Sequence, residues 1–190
     1  MIKHVLENFP FMRPLIYVLK YFLRQRKLNE SYTGGISSFL LFNLLFSYIQ
    51  FFVKENEKKE WTLGHLLVGF LQFYAFDFNY EQVGISIRFG GYFYKKSEKL
   101  WYDLILTNPF RQDPRRSWLL SVENFQELDQ DIGKGSFKFK KVLDCFKQAR
   151  DALYYPSKYP IESYLSQFIN VDAFLIERYK LKQAEKIKNN

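Results

Sequence analysis

Between residues 12 and 28, "MRPLIYVLKYFLRQRKL", apolar positions recur every three to four residues: Leu15, Val18, Leu19, Phe22 and Leu23 fall on one side. That spacing predicts an amphipathic helix, with Pro14 suited to its first turn and Arg13, Lys20, Arg24 and Lys27 projecting elsewhere. "NESYTGG" then reads as a connector, followed by an apolar run from Ile36 to Val53. The run carries Asn43, Ser47 and Gln50, and a second apolar stretch, "WTLGHLLVGFLQFYAF", carries His65 and Gln72. A membrane span tolerates few unpaired polar groups, so the two stretches, separated by "KENEKKE", predict a buried helical hairpin and no membrane partner.

After Phe76 the period changes to two. "VGISIRFGGYFYKK" predicts a β-hairpin closed tightly at Gly90-Gly91, and "WYDLILTNPF" a further strand ended by Pro109. Residues 111 to 130 are polar and mixed, which predicts a surface insertion. "DIGKGSF" opens another helix whose apolar face is Phe139, Val142, Leu143, Phe146, Ala149 and Leu153, with Ser136 placed to cap it. "YYPSKYP" breaks that helix, and an amphipathic pair over 161–169 and 171–187 ends in a basic tail. The expected class is α+β, mainly α-helical with a small β-hairpin or sheet.

Charge sharpens this picture. The net charge of +8 is uneven: residues 3–27 carry six Lys/Arg against one acid, 134–150 six against one, and 178–188 five against one. Such stretches favour an anionic partner, nucleic acid or nucleotide, although solvated helix faces share the pattern. The single cysteine, Cys145, rules out an internal disulfide and fits a reducing compartment, and His4 and His65 lie too far apart in sequence to suggest a metal cluster.

Candidate chemistry gathers at "YTGGISSF". Gly34 and Gly35 permit positive φ and close backbone approach, and Ser37 and Ser38 sit where a new helix leaves amide N–H groups unpaired. Such an end attracts phosphate, and Lys20 and Arg24, four residues apart, share one face of the preceding helix. Two readings stay open: a triphosphate cradle, or a capped helix beside exposed cations. "DIGKGSF" lacks the spacing of a Walker A loop and offers Lys134 as a mobile cation. In "NPF", Asn108 is suited to a base edge and Phe110 to packing or stacking, and a strand-ending turn accounts for the same tripeptide.

With "RPLIYVLKYFLRQRKLNESYTGGISSFLLF", "FNYEQVGISIRFGGYFYKK", "LTNPF" and "DIGKGSF" in that order, residues 12 to 153 resemble the poly(A) polymerase and terminal nucleotidyltransferase family. The resemblance is to the nuclear TRAMP-type branch, which tails RNA 3′ ends. It implies a central helical domain of the PAP/OAS1 substrate-binding type, divided here into 1–60 with the nucleotide cradle, 61–155 with the PAP-associated region and nucleotide recognition motif, and 156–190 with the terminal helices. It implies ATP as substrate, RNA and an RNA-processing complex as partners, and a nuclear location, with cytoplasmic the alternative.

By the same resemblance, Lys20, Arg24 and Ser38 contact the triphosphate next to Ser37, Phe39 stacks on the base, and Asn108, Phe110, Asp131 and Lys134 belong to the recognition motif. Family chemistry uses a Gly-Ser step and three palm aspartates that hold two Mg²⁺ ions. That palm precedes the region matching Met1 to Pro14, so no catalytic carboxylate is assigned, and Mg²⁺ is expected only through a palm absent from this sequence. The expectation is therefore the nucleotide- and RNA-gripping part of a tailing polymerase, inert alone; the alternative is a non-catalytic RNA- or protein-binding module of the same descent. Asn108 stands where relatives carry Asp, which opens the choice between ATP and UTP.

Overall fold

The computed structural model describes residues 2–53, 60–97, 117–127, 130–156 and 163–188. The chain opens with α1 (Ile2–Asn8) and α2 (Met12–Gln25). Met12, Leu15, Leu19, Phe22 and Leu23 of α2 are buried, as the helical spacing requires. The helix stops at Gln25 because the next residues fold back on it. Lys27 adopts φ +54°, its N–H donates to the Arg24 carbonyl at 3.0 Å, and the Leu28 N–H donates to the Leu23 carbonyl at 2.9 Å. This is a Schellman termination with Lys, rather than the usual Gly, in the left-handed position.

A short 3₁₀ turn (Ser31–Thr33) leads into α3 (Ser38–Tyr48). The Ser37 hydroxyl accepts from the Leu40 N–H at 3.1 Å and caps α3, a contact of the kind that contributes about 1 kcal/mol. Residues 40–48 of α3 are all buried, so the helix is sheathed on every side, and each buried leucine contributes roughly 1.5–3 kcal/mol. The polar residues of the run are absorbed into the packing. The Asn43 amide donates to the Phe39 carbonyl at 2.8 Å, and the Gln50 amide to the Ile87 carbonyl at 3.1 Å. Helix α4 (Leu63–Gln72), capped by Thr62, completes the pair, and the Tyr74 hydroxyl donates to the Leu44 carbonyl at 2.8 Å. No helix among the described residues is long and apolar enough to cross a membrane.

Helices α3 and α4 each finish in a π-helical turn, Ile49–Val53 and Phe73–Asp77. These turns crowd aromatic rings against the hairpin of β1 (Val83–Ser86) and β2 (Tyr92–Lys95). Phe93 stacks on Phe51 with ring centroids 4.0 Å apart and lies 5.9 Å from Phe73. The pairing Ser86↔Tyr92 leaves five residues, 87–91, in the connection. The tight glycine turn expected at Gly90-Gly91 is thus corrected to a longer loop, in which Phe89, Gly90 and Gly91 all have positive φ.

A second correction concerns the expected surface insertion. Leu119, Leu120 and Val122 are buried, because residues 121–123 run parallel to β1. The Ile85 N–H donates to the Ser121 carbonyl at 3.0 Å and the Glu123 N–H to the Ile85 carbonyl at 2.8 Å. Residues 130–132 then pair antiparallel with 122–124, so the sheet is extended by two short segments. Helix α5 (Phe139–Tyr154) buries Phe139, Val142, Phe146 and Ala149 against α4. A 3₁₀ turn (Tyr164–Gln167) and α6 (Ala173–Lys188) follow; the helix expected over 161–169 is reduced, among its described residues, to that turn. The expected strand 101–110, with Asn108 and Phe110, lies outside the described residues.

Candidate functional site

The sheet extension delivers the Asp131–Ser136 turn to the start of α3. Asp131 organises the turn: one carboxylate oxygen accepts from the Val122 N–H at 2.9 Å and the Gly133 N–H at 2.8 Å, the other from the Ser121 hydroxyl at 2.7 Å. Ser121 has a single proton and gives it to Asp131, so the Tyr94 hydroxyl, 2.7 Å from the Ser121 oxygen, donates to it. Burial first, and then the negative charge of Asp131, push the Tyr94 phenol well above its usual pKa. Each oxygen of this carboxylate is thus engaged in tying the turn to the 121–122 segment.

From this turn two bonds reach back to the glycine pair. The Ser136 hydroxyl donates to the Gly35 carbonyl at 2.8 Å, and the Lys138 N–H donates to the Gly34 carbonyl at 2.8 Å. Ser136 is fully buried, and α5 begins after Lys138 without a side-chain cap, so its expected role as a cap is corrected: it bridges two segments 101 residues apart. Gly34 sits at φ +87°, and a Cβ there would meet the Phe137 ring at 2.5 Å; at Gly35 a Cβ would stand 2.3 Å from the Leu28 carbonyl oxygen. Gly34 is therefore required by its positive φ and Gly35 by close approach to backbone, and the start of α3 is clamped to the Gly-Lys-Gly turn.

Around that junction Ser38 is exposed and Phe39 half-buried, with the Phe39 ring 5.6 Å from Phe125. Lys134 is exposed on its turn, and Lys20 is exposed on α2, which packs against α3. Arg24 is engaged elsewhere: its guanidinium lies 3.9 Å over the ring of Phe174 in α6. Two backbone-directed pairs reinforce that contact. The Gln25 amide donates to the Asn170 carbonyl at 2.6 Å, and Arg26 donates to the Phe168 carbonyl at 3.0 Å. Sequence reasoning missed Ser121, Phe125 and Phe174. Only Ser121 had a local signal, the short apolar stretch Leu119-Leu120-Ser121-Val122.

No group of three His, Cys, Asp or Glu among the described residues is placed to hold a metal ion. The two Mg²⁺ ions that the resemblance implies do not fit these residues, and no step is derived through them.

The arrangement is a buried helical pair whose glycine connector is clamped to the Asp131–Ser136 turn beside a short sheet. Residues 62–128 match the PAP-associated model of Cid1 family poly A polymerases, and over that segment the chain carries that family's domain. Its relatives include the poly(A) RNA polymerase CID14 of Cryptococcus neoformans, 36% identical over 155 residues, covering 80% of this chain and 19% of that protein. The cid14 enzyme of Schizosaccharomyces pombe is 30% identical over 151 residues, 78% of this chain and 21% of that one. The solved polymerase core of TRAMP, an RNA surveillance complex, superposes with a TM-score of 0.72 at 25% identity, over 90% of this chain and 54% of that chain. The likeness is thus to the TRAMP-type members, and the chain spans about a fifth of the length of these two curated relatives.

Proposed function

We propose that this chain is the nucleotide- and RNA-binding part of a terminal nucleotidyltransferase that adenylates RNA 3′ ends, acting with a catalytic palm that this sequence does not supply. In the reaction the RNA 3′-oxygen attacks the α-phosphorus of ATP, a new phosphodiester forms, the bond to the β-phosphate oxygen breaks and pyrophosphate leaves. This chain holds and orients the nucleotide. Lys20 and Arg24 neutralise the triphosphate, and Ser38 and the amide-rich start of α3 hydrogen-bond it. Ser37 keeps that start in shape, and Phe39, braced by Phe125, stacks on the base. Asn108, Phe110 and Lys134 bias base choice, and Asp131 acts indirectly, by fixing the turn on which Lys134 stands. Arg24 reaches a phosphate only by sharing or leaving the Phe174 ring.

The observation that carries this reading is the clamp of Ser136 and Lys138 on Gly35 and Gly34, which joins the two segments to which the resemblance assigns nucleotide contacts. Calorimetric titration with ATP tests it. Binding by the wild-type chain that is lost in Lys20→Ala is the expected result. RNA binding with steep salt dependence but no ATP affinity establishes instead the non-catalytic module of the same descent. RNA surveillance partners and a nuclear location follow from the same proposal, and a fluorescent fusion confined to the cytoplasm contradicts the latter.

A further inference from the structure

The basic run along α5 is not used by the nucleotide cradle. Lys140, Lys147, Arg150 and Tyr154 recur at intervals of seven, three and four residues, so they form one stripe on the helix surface. The stripe starts beside Lys138 and Phe137 at the recognition turn and runs about 21 Å to the far end of the helix. Lys140 and Lys147 are exposed. At the far end two rings stand in water, Phe76 at 42% and Tyr154 at 58% exposure. They are held there: the Arg150 guanidinium lies 4.0 Å from the Phe76 centroid and 5.2 Å from that of Tyr154, and its Nε donates to the Gln72 amide oxygen at 2.8 Å. The Lys147 ammonium is 5.5 Å from the Phe76 ring.

Two carboxylates temper the charge. Asp151 pairs with Arg150 at 2.6 Å, and Asp144 flanks the stripe. Lys140 and Lys147 appear in no ion pair of the described residues. Point cations leading to a pair of exposed, pre-positioned rings suit one ligand chemistry, a single strand whose phosphates meet the lysines and whose bases stack on the aromatics. A duplex hides its base faces, and an acidic peptide gives the rings nothing to stack on.

We infer that the α5 stripe, from Lys140 to Phe76 and Tyr154, is a track for single-stranded RNA lying upstream of the 3′ end held at the cradle. This rests on the RNA-tailing reading above. The track sets how much of the strand is gripped, independently of the nucleotide.

The test is fluorescence anisotropy of the full chain with a labelled oligoadenylate of about 15 nucleotides, over a salt series, beside calorimetry with ATP. The double variant Lys140→Gln/Lys147→Gln is expected to bind roughly tenfold more weakly, with the salt slope reduced by about 1.4. Tyr154→Ala is expected to weaken binding at least about fivefold with the slope unchanged. ATP binding and circular dichroism stay at wild-type values in both. A double variant with the wild-type midpoint and slope overturns the track while leaving the cradle intact. A wild-type chain that binds ATP but no oligoadenylate also overturns it and turns attention to a protein partner on this face. Binding of neither ligand removes the functional reading together with the track.

Discussion

At Gly34-Gly35 the chain closes on itself from three sides, while at Gly90-Gly91 it rounds the tip of a hairpin. In the first pair, Leu28 backbone lies behind Gly35, the Phe137 ring covers Gly34, and Ser136 and Lys138 bond both carbonyls. In the second, a Cβ at Gly90 would meet nothing within 4 Å, and the nearest atom to one at Gly91 is in the Gln50 side chain at 2.8 Å. The same dipeptide thus serves as a clamp in one place and a bend in the other. What separates them is Gly35, whose neighbour is backbone that cannot step aside, whereas the Gln50 side chain and open water at the hairpin tip can. The nucleotide cradle proposed above lies at Gly34-Gly35.

The strongest way to break this comparison is Gly35→Ala. Its Cβ would press on the Leu28 carbonyl oxygen and carbon at 2.3 and 2.5 Å, so the connector must move and both bonds from Ser136 and Lys138 are strained. A loss of roughly 3 kcal/mol is expected in chemical denaturation, along with loss of ATP binding. A variant within experimental error of wild type in both would show that the clamp tolerates displacement and is no clamp.

Ser136→Ala sharpens the same point without adding bulk. It removes a buried hydroxyl and leaves the Gly35 carbonyl without that donor, which costs about 1–3 kcal/mol. The measurement that matters is the comparison with Ser37→Ala, which removes a helix cap worth about 1 kcal/mol. If the Ser37 change is the more damaging, α3 is held by its cap and not by the bridge to the turn.

These two serines also mark how far the sequence could be read. Ser37 was legible because a cap is local: the acceptor and its amide are three residues apart, and the glycines before it announce a break. The helices α2 and α5 were legible because burial follows a short period, and α3 and α4 because each is an apolar run. Ser136 was not, because its acceptor lies 101 residues away and its own neighbourhood reads as a helix start. Arg24 stacked on Phe174, and Phe39 against Phe125, are likewise long-range pairings that no periodicity encodes. Residues 119–124 read as surface because the buried stretch is short and carries Ser121, Glu123 and Asn124, whose polarity is satisfied only once β1 and the Asp131 turn are beside them.

A third test probes how firmly the hairpin is anchored away from its tip. Lys96, one residue beyond β2, buries its ammonium against the Ser117 and Leu119 carbonyls at 2.8 and 2.5 Å, and desolvation lowers its pKa to about 8. The unfolded lysine keeps its proton until about pH 10.4. Between these values the unfolded state binds more protons, so stability rises as pH is raised from about 8 and is lost as pH falls back through it. The gain is expected to stay under about 1 kcal/mol per pH unit, because the site is only partly desolvated. Denaturation midpoints at pH 7.5 and 9.5 should diverge in the wild type and converge in Lys96→Met; equal slopes in the two proteins would remove Lys96 from the account.

The smallest effect is expected at Gly90→Ala. The position has φ +91°, which costs an L-residue roughly 1–2 kcal/mol. Against this, alanine restricts the unfolded chain and returns about 0.4–1 kcal/mol, and no atom resists the new methyl group. A net loss of about 0.5–1 kcal/mol follows, with ATP binding unchanged because the tip takes no part in the cradle. The ratio of the two glycine substitutions is the informative quantity. If Gly90→Ala proved as costly as Gly35→Ala, the close approach of Leu28 backbone at Gly35, whose φ is not positive, would cost no more than a strained φ at an open tip, and the contrast between the two pairs would fall.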